Sequence, residues 1–368
     1  MRIAIAGAGL SGAVLARELA NEDHDVEVFE ARDHVAGNCY TKRDPETGVM
    51  VQVYGPHIFH TDNARAWNYM RSFDEFMPYR HRVQAVVGHR VYSLPINLLT
   101  INQFFGEAFS PAEAQAYIRQ LGVLGYPGGP KNFEEQALSM VGHRLYEAFF
   151  KGYTIKQWGR DPSELPASIL TRLPLRFNYD DSYFSHRFQG LPRHGYTEVV
   201  EGMLEGIPVH LNAPLTRHEA PRFDHVFYTG PLDAWFDYCH GRLAYRTLDF
   251  KPNVVEGDGL GTPVLNYVDQ GVPFTRRTEH KHFMPWESHD KSVIFTEYSR
   301  ECTPDDEPYY PIRLAQDKGM LLLYSALAET ESRVTFVGRL GTYRYIDMDV
   351  TVAEALAVAD KFLGREHD

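Results

Sequence analysis

A glycine-rich turn near the start of the chain constrains the fold more than any other feature. The apolar run Arg2 to Ala6 leads at once into Gly7, Gly9 and Gly12, spaced G-x-G-x-x-G, and then into an alanine-rich stretch at 13–20 with helical spacing of its apolar residues. In a strand–turn–helix unit of this kind, glycines allow the tight turn and the close approach of a pyrophosphate. The free N–H groups of the helix N-terminus then face an anion.

A second predicted strand, Val26 to Phe29, ends in Glu30. An acidic residue at this distance beyond Gly12 is placed to accept hydrogen bonds from an adenosine ribose. The turn alone would fit a ligand-free loop equally well, but strand, helix and Glu30 together favour a bound dinucleotide. The loop from Ala31 to Asn38 either lies beside the diphosphate and ribose or is a surface turn.

Bulk properties narrow the choice of partners. A chain of 368 residues suits two or three lobes, and its formal charge of -12 argues against nucleic acid and anionic membranes. Three cysteines without C-x-x-C spacing fit a reducing compartment. The sequence shows no signal peptide or membrane-spanning run. We therefore expect a cytoplasmic protein whose anionic ligands are met by local arginines.

The chain is predicted to be an α/β protein with a Rossmann-like cofactor-binding sheet, an inserted helical lobe and an antiparallel sheet substrate domain. Helical spacing at Pro111 to Leu121 and Asn132 to Phe150 marks the lobe, while 243–295 reads as a meander of strands. A strand at 334–337 and a helix beginning at Thr351 return to the core. The predicted segments are 1–75, 191–240 and 313–368 for the core, 76–98 and 241–312 for the sheet domain, 99–160 for the lobe, and 161–190 for a mobile loop with short strands.

Two histidines, His57 and His60, lie three residues apart in a loop that contains Gly55 and Pro56. This spacing could serve a metal, but a third ligand at a useful distance is missing from the sequence and a Gly-Pro loop holds zinc poorly. We predict no metal site. Both histidines are expected to form hydrogen bonds beside a cofactor.

Aromatic and basic residues form three candidate groups, since flat rings and arginines together can hold a nucleotide. For Phe149 and Phe150 alone, a place in a helix core is the stronger alternative. The first group is Phe149, Phe150, Tyr153, Thr154, Trp158, Arg172, Tyr183 and Phe184; the second is Arg246, Asn266, Arg276 and the turn 308–311; the third is Arg339, Tyr343, Arg344, Tyr345 and 347–349. Neither a nucleophile elbow nor a hydrolase-type carboxylate pair stands out, so the chemistry would belong to the cofactor.

Several of these motifs resemble the bacterial UDP-galactopyranose mutases. The resemblance covers nearly the whole chain, from Arg2 to about Leu363, and its later motifs are more specific than the glycine turn. The matching stretches are the glycine turn with Glu30, YGPHIFHT at 54–61, FKGYTIKQWG at 150–159, and GRLGTYRYIDM at 338–348.

The resemblance implies that the chain is an FAD-dependent isomerase, active with reduced FAD, that interconverts UDP-galactopyranose and UDP-galactofuranose. In the family's mechanism, N5 of the reduced flavin acts as the nucleophile at the anomeric carbon. The expected partner is a UDP-sugar, and by analogy with bacterial relatives the chain is a homodimer. The expected setting is the synthesis of cell-wall or surface polysaccharide.

The resemblance also implies individual roles. Arg172 is similar to a mobile-loop arginine that reaches the substrate diphosphate, Arg276 to its fixed partner, and His57 is counted with both the catalytic and the cofactor residues. The implied substrate-binding residues are His81, Phe149, Phe150, Tyr153, Thr154, Trp158, Tyr183, Phe184, Arg246, Asn266, Tyr310 and Tyr345. The implied FAD-binding residues are Gly7, Gly9, Leu10, Ser11, Gly12, Glu30, Ala31, Asn38, His57, Ile58, Arg339, Tyr345, Asp347 and Met348.

One residue departs from the family pattern: His81 stands where some members have an asparagine near the sugar. The exact sugar therefore stays open, with TDP-fucopyranose and UDP-N-acetylgalactosamine as alternatives to UDP-galactose. A flavin oxidoreductase of the amine-oxidase type shares the cofactor fold, but its apolar pocket would lack paired arginines such as Arg172 and Arg276. A catalytically silent sugar-nucleotide sensor would use the same binding residues.

Overall fold

The computed structural model describes residues 1–172, 175–312 and 317–365, with the backbone alone at 171, 172 and 317. Its strands are β1 Arg2–Ala6, β2 Asp25–Phe29, β3 Thr41–Arg43, β4 Met50–Gln52, β5 Phe59–Thr61, β6 Phe76–Pro78, β7 Val83–Val87, β8 Arg90–Leu94, β9 Phe188–Pro192, β10 Val209–His210, β11 His225–Tyr228, β12 Tyr245–Glu256, β13 Val264–Tyr267, β14 Arg276–Glu279, β15 Lys291–Glu301, β16 Tyr310–Pro311 and β17 Val334–Phe336. Its helices are α1 Leu10–Ala20, α2 Ala64–Arg71, α3 Leu98–Phe105, α4 Pro111–Leu121, α5 Phe133–Leu145, α6 Gly152–Trp158, α7 Tyr196–Leu204, α8 Leu232–Trp235, α9 Asp317–Thr330, α10 Gly338–Gly341 and α11 Met348–Leu363.

The first strand sits at the centre of a parallel sheet of order β10-β2-β1-β11-β17. Ile3 and Ile5 face a core shared with Leu15 of α1 and Leu356 of α11. The opposite face, which includes Ala4, packs in a second core with residues of β11 and α9. Both faces of the sheet are therefore covered, as parallel sheets require. This confirms the Rossmann-like α/β prediction.

A second, seven-stranded sheet has the order β16-β12-β15-β14-β13-β7-β8. Its pairs are antiparallel, as predicted, except for β7 and β13, which run parallel with Val83 opposite Val264. Parallel neighbours need a long crossover connection. Here the helical lobe and part of the parallel sheet lie between the two strands in sequence and provide that connection.

The helical lobe departs from the predicted pattern at one place. Helix α4 has the predicted bounds and begins with a capping box between Ser110 and Glu113. The predicted single helix at 132–150 is instead α5, kinked at Gly142, followed by a π-helical turn Tyr146–Lys151. Gly142 has φ +70°, and a Cβ atom there would lie 2.4 Å from the Leu121 carbonyl oxygen. The close approach to α4 explains both the glycine and the kink.

Three smaller differences concern element bounds. Strand β6 pairs with β9 in a three-stranded sheet with β5, apart from the seven-stranded sheet. Helix α11 begins at Met348, three residues before the predicted start, because the Thr351 amide already donates to the Asp347 carbonyl at 2.9 Å. In the segment predicted as a mobile loop, the described residues include a 3₁₀ helix, Ala167–Arg172, and strand β9.

None of the helices within residues 1–172, 175–312 and 317–365 has both the length and the apolar composition needed to cross a lipid bilayer.

Candidate active site

A cavity of about 500 Å³ opens between α6, the strands β13 and β14, and the loop that follows β4. Its volume falls within the usual range for a small-molecule site. The sequence-predicted residues that line it are His57, Ile58, His81, Phe149, Phe150, Tyr153, Thr154, Trp158, Tyr183, Phe184, Asn266, Arg276, Tyr310, Arg339, Tyr345, Asp347 and Met348.

The π-helical turn and α6 supply one aromatic wall. Phe149 lines the cavity while its ring also packs edge-on against Tyr92 and Phe104 at 5.4 Å each. Phe149 therefore belongs both to the core of the helical lobe and to the wall of the cavity. Trp158 lies across from Tyr310 at 6.5 Å between ring centroids. A π-helical turn at such a place is common in functional sites.

The tyrosines of the cavity are held in their neutral form. Burial raises the pKa values of Tyr153, Tyr183 and Tyr310 above that of a free phenol. At neutral pH each therefore keeps its O–H group as a donor. Donors of this kind suit the oxygens of a phosphate or sugar.

The charged centre of the cavity is Arg276, the first residue of β14. Its Nε donates to Oε2 of Glu297 at 2.7 Å, and the Glu297 side chain is 1% exposed. Burial alone would lower the pKa of Arg276, but the Glu297 carboxylate, together with Tyr153 and Tyr310, outweighs burial and raises the pKa above its usual value. Among the described residues, the two terminal amino groups of Arg276 have no hydrogen-bond acceptor. They remain for an anionic ligand.

His57 is fixed by its own loop. Its Nδ1 donates to the Gly55 carbonyl at 2.8 Å, and its backbone amide donates to Oε1 of Gln52. Burial, with the charges of Arg339 and Arg276 adding to it, lowers the pKa of His57 to about 4. The imidazole is therefore neutral at pH 7, and its Nε2 carries a lone pair that can accept a hydrogen bond.

A second histidine group lies deeper along the same wall. Burial lowers the pKa of His81 to about 3, and its ring is surrounded by Tyr79, Phe184 and Phe283. Nearby, His60 and His186 share a hydrogen bond between their Nδ1 atoms at 3.0 Å. His81 therefore makes the cavity wall polar without adding charge at neutral pH.

Two residues of the cavity wall carry buried amide oxygens. Oε1 of Gln157 and Oδ1 of Asn266 have no hydrogen-bond partner among the described residues. An unpartnered buried acceptor costs free energy, so such atoms usually meet a ligand or water. They mark places where a hydroxyl or N–H group of a ligand would bind.

The glycine turn forms a separate backbone cradle. Gly7 has φ +107°, and a Cβ atom at Gly12 would lie 1.9 Å from the Gly7 carbonyl oxygen. Gly9 precedes α1 and has no side chain to cap it, so the first N–H groups of the helix, at Leu10 and Ser11, stay open to an anion.

Glu30 closes this cradle at the end of β2. Its Oε2 accepts from the Ala8 amide at 2.8 Å and its Oε1 from the Arg32 amide at 2.9 Å. Each oxygen keeps a second lone pair for a ribose hydroxyl. Ala31 follows directly, and Asn38 accepts a bond from the Arg32 guanidinium at 2.9 Å.

Gly338 and Arg339 connect the cradle with the cavity. A Cβ atom at Gly338 would lie 2.6 Å from Oγ of Ser11, so α10 packs directly on the start of α1. The Arg339 guanidinium donates to the Ile346 carbonyl at 2.7 Å and lies 5.1 Å from the centre of the Tyr345 ring. A dinucleotide bound at the glycine turn would therefore extend towards the cavity.

Comparison with known families decides the assignment. The family model described as UDP-galactopyranose mutase matches residues 148–345, and an NAD(P)-binding Rossmann-like domain model matches residues 5–73. The chain belongs to the UDP-galactopyranose mutase family. The family indicated by the sequence motifs is thus confirmed, and this mutase-family chain is an enzyme of the isomerase class.

Curated relatives of this mutase-family chain cover nearly its full length. A Klebsiella pneumoniae protein named "Probable UDP-galactopyranose mutase" is 57% identical, over 98% of this chain and 94% of that protein. The Escherichia coli dTDP-fucopyranose mutase is 47% identical, over 98% of both chains. A solved structure of reduced UDP-galactopyranose mutase superposes with a TM-score of 0.79 at 16% identity, covering 100% of this chain and 96% of that one, which shows the shared fold.

One predicted substrate residue of this mutase-family chain lies elsewhere. Arg246 does not line the cavity; its Nε donates to the Gln157 carbonyl at 3.1 Å and to Ser299 Oγ at 3.2 Å. The arginine is 3% exposed and caps the C-terminal end of α6. A buried guanidinium needs carbonyl partners, and a helix end offers them as readily as a diphosphate does.

The Arg172 side chain lies outside the described residues, so its predicted contact with the substrate diphosphate stays a prediction. Gln157 and His186 line the cavity without having been singled out. Gln157 could have been found from the sequence, because it lies four residues after Tyr153 within the predicted helical lobe, and residues four apart share one face of a helix.

Proposed function

We propose that this mutase-family chain is an FAD-dependent isomerase that interconverts UDP-galactopyranose and UDP-galactofuranose. The observation that carries the proposal is the partly buried Arg276, fixed by the buried Glu297 through one nitrogen and facing an aromatic cavity with the other two. A partly buried guanidinium with free donors matches a diphosphate, and aromatic walls match a uracil ring.

The N-terminal cradle fits FAD. Gly9 leaves the first N–H groups of α1 open for the diphosphate, and the Glu30 carboxylate has lone pairs left for the ribose. Leu10, Ser11, Ala31 and Asn38 would border the dinucleotide. Ile58, Arg339, Asp347 and Met348 would border the flavin end, since they line the cavity beyond α10.

Reduced FAD, when bound, supplies a nucleophilic N5 for the anomeric carbon, and the protein supplies everything else. Arg276 would hold the diphosphate both as substrate group and as departing UDP, whose charge increases. Neutral His57 would accept a hydrogen bond at its Nε2, and the phenol groups of Tyr310 and Tyr345 would donate to phosphate oxygens. His81 and Asn266 would border the sugar and ribose.

Arg172 is proposed as the second diphosphate arginine. It ends the 3₁₀ helix Ala167–Arg172, whose neighbours Ile169 and Leu170 line the cavity. The backbone of this segment therefore borders the cavity that Arg276 also lines. Two arginines around one diphosphate would offset the chain's overall negative charge locally.

A related sugar nucleotide is the second candidate substrate. The 47% identical E. coli relative is named dTDP-fucopyranose mutase, and His81 lies in the cavity wall where the sugar would bind. We also infer a cytoplasmic homodimer that supplies a furanose sugar nucleotide for surface polysaccharide. These inferences rest on family analogy.

The decisive experiment uses purified protein reduced with dithionite. It is incubated with UDP-galactofuranose, and in a parallel tube with dTDP-fucofuranose, and products are separated by chromatography. We expect UDP-galactopyranose to form faster than dTDP-fucopyranose. Conversion of the dTDP-sugar alone would replace the proposed substrate by the second candidate, and no conversion of either sugar by reduced, flavin-loaded protein would overturn the proposed function.

Replacing Glu30 with alanine tests the cofactor site apart from the sugar site. The substitution removes the acceptor for the Ala8 amide and for the ribose, at a cost of about 1–3 kcal/mol in FAD affinity. The protein should purify with less FAD and regain activity when FAD is added in excess. Unchanged FAD affinity, measured by titration of the apoprotein, would contradict the placement of the ribose at β2.

A further inference from the structure

Helix α6, which carries Tyr153, Thr154 and Trp158, packs closely on the connection between β13 and β14. A Cβ atom at Gly152 would lie 2.3 Å from the Val268 carbonyl oxygen. Lys156 follows one helical turn later and therefore lies on the same face of the helix. Gly152 and Lys156 together form the contact face of α6.

The Lys156 ammonium group binds three carbonyl oxygens of that connection. Its Nζ lies 2.6 Å from Tyr267, 3.1 Å from Val272 and 2.8 Å from Phe274. An ammonium group has three donors, and here each has a backbone acceptor. The ammonium group thus holds the backbone at both ends of the connection, at Tyr267 and at Phe274, close to one point.

The two strands joined by this connection carry ligand-facing residues of the cavity. Asn266 lies next to Tyr267 in β13, and Arg276 begins β14 two residues after Phe274. Lys156 therefore links the aromatic wall formed by α6 with the wall that holds the arginine. A shift of α6 relative to this hairpin would change the width of the cavity.

The C-terminal end of α6 is fixed independently. The Gln157 carbonyl accepts from Arg246 Nε at 3.1 Å and from Ser299 Oγ at 2.6 Å. Residues of β12 and β15 thus hold the C-terminal end of the helix. The Lys156 contacts then determine the distance between α6 and the hairpin formed by β13 and β14.

We propose that Lys156 is a positioning residue that sets the spacing between α6 and Arg276, and thereby the affinity of the cavity for the nucleotide diphosphate. The proposal rests on the proposed function only in naming the ligand. Lys156 does not need to touch the ligand, because it acts through the backbone of 267–274. Its loss should weaken binding of substrate and UDP together, so that KM rises more than kcat falls.

The test compares K156M with K151M. Lys151 is a partly exposed lysine five residues earlier, paired with Glu147 at 2.8 Å, and serves as the matched control. UDP affinity is measured by titration calorimetry, with FAD content, Tm and the kinetics of UDP-galactofuranose turnover recorded on the same samples. K156M should bind UDP about tenfold or more weakly, the loss expected from charge-assisted hydrogen bonds, with normal FAD content, and K151M should match wild type.

Restoring the ammonium separates positioning from general stability. K156C alkylated with 2-bromoethylamine carries an ammonium on a side chain of lysine length and should recover UDP affinity; treated wild type controls for Cys239, which is exposed. If K156M does not fold, K156R takes its place, since its planar fork cannot serve the same three carbonyls and should weaken UDP binding.

Wild-type UDP affinity in a folded variant, or FAD loss that parallels UDP loss, would overturn the role of Lys156. No recovery in the alkylated protein would do the same. Absence of UDP binding by wild type would instead reject the proposed function.

Discussion

Replacing Arg276 with alanine should remove most turnover and leave the protein yellow. The guanidinium lies partly buried in the cavity wall, and its remaining donors face the space proposed for the diphosphate. A charge-assisted hydrogen bond contributes about 1.5–3 kcal/mol, so one lost contact costs about ten- to a hundredfold in rate. The glycine turn and Glu30 are not altered, so excess FAD should not restore activity. Steady-state kinetics with the reduced protein and the flavin absorbance measure both parts.

The substitution also leaves the Glu297 carboxylate buried without its cation, which is destabilising on its own. The double variant R276A/E297Q removes that charge and should recover stability without recovering turnover. A control for the loss of an arginine is R65A: Arg65 pairs with buried Asp360 at 2.7 Å, the same distance as in the Arg276–Glu297 pair, but does not line the cavity. R65A should lose stability and keep its rate. Wild-type turnover in the double variant would remove Arg276 from the site.

The N-terminal unit was predictable because its signals are local. Gly7, Gly9, Gly12 and Glu30 follow one another along a strand, turn, helix and strand whose geometry leaves few alternatives. The structure has this strand, turn and helix, with Glu30 directly after β2, at a parallel sheet centred on β1. What the sequence lacked was the parallel pairing of β7 with β13, since partners far apart in sequence leave no local signal.

The different positions of Arg246 and Arg276 could not be predicted from the sequence. Arg246 and Arg276 both follow turns in a strand-rich region, and both are largely buried, yet one caps α6 and the other faces the cavity. Their roles differ through partners distant in sequence, the Gln157 carbonyl and the Glu297 carboxylate. A pattern of residue types predicts that a buried arginine will have a hydrogen-bonding partner, but it does not predict which residue that partner is.

The aromatic wall was predicted in composition but not in shape. Helical spacing predicts that Phe149 and Phe150 belong to a continuous helix, whereas the helix is kinked at Gly142 and both residues lie in the π-helical turn that follows. The cause is the contact of Gly142 with the Leu121 carbonyl, which is tertiary and hidden from helical periodicity. The spacing of apolar residues predicts the helices of the lobe, but it does not predict the orientation of the side chains in the site.

Turnover should require reduced flavin, whereas UDP binding should not. N5 of an oxidised flavin is electrophilic and cannot attack an anomeric carbon, while the groups proposed to hold UDP belong to the protein and carry the same charge in both redox states. Arg276 stays protonated because Glu297 raises its pKa, and Tyr310 stays neutral because burial raises its pKa. The oxidised protein should therefore bind UDP with an affinity close to that of the reduced protein and show no isomerisation.

The measurement is an anaerobic redox titration in which isomerisation of UDP-galactofuranose and flavin absorbance are followed on the same sample. The rate should rise in proportion to the reduced fraction and fall again on admission of air. UDP titrations of the oxidised wild type and of oxidised R276A provide the comparison: the variant should bind UDP more weakly in both redox states, because the lost contact is made by the protein. Full activity in air without a reductant would exclude flavin N5 as the nucleophile, even if UDP binding behaved as expected, since binding and chemistry draw on different groups of this cavity.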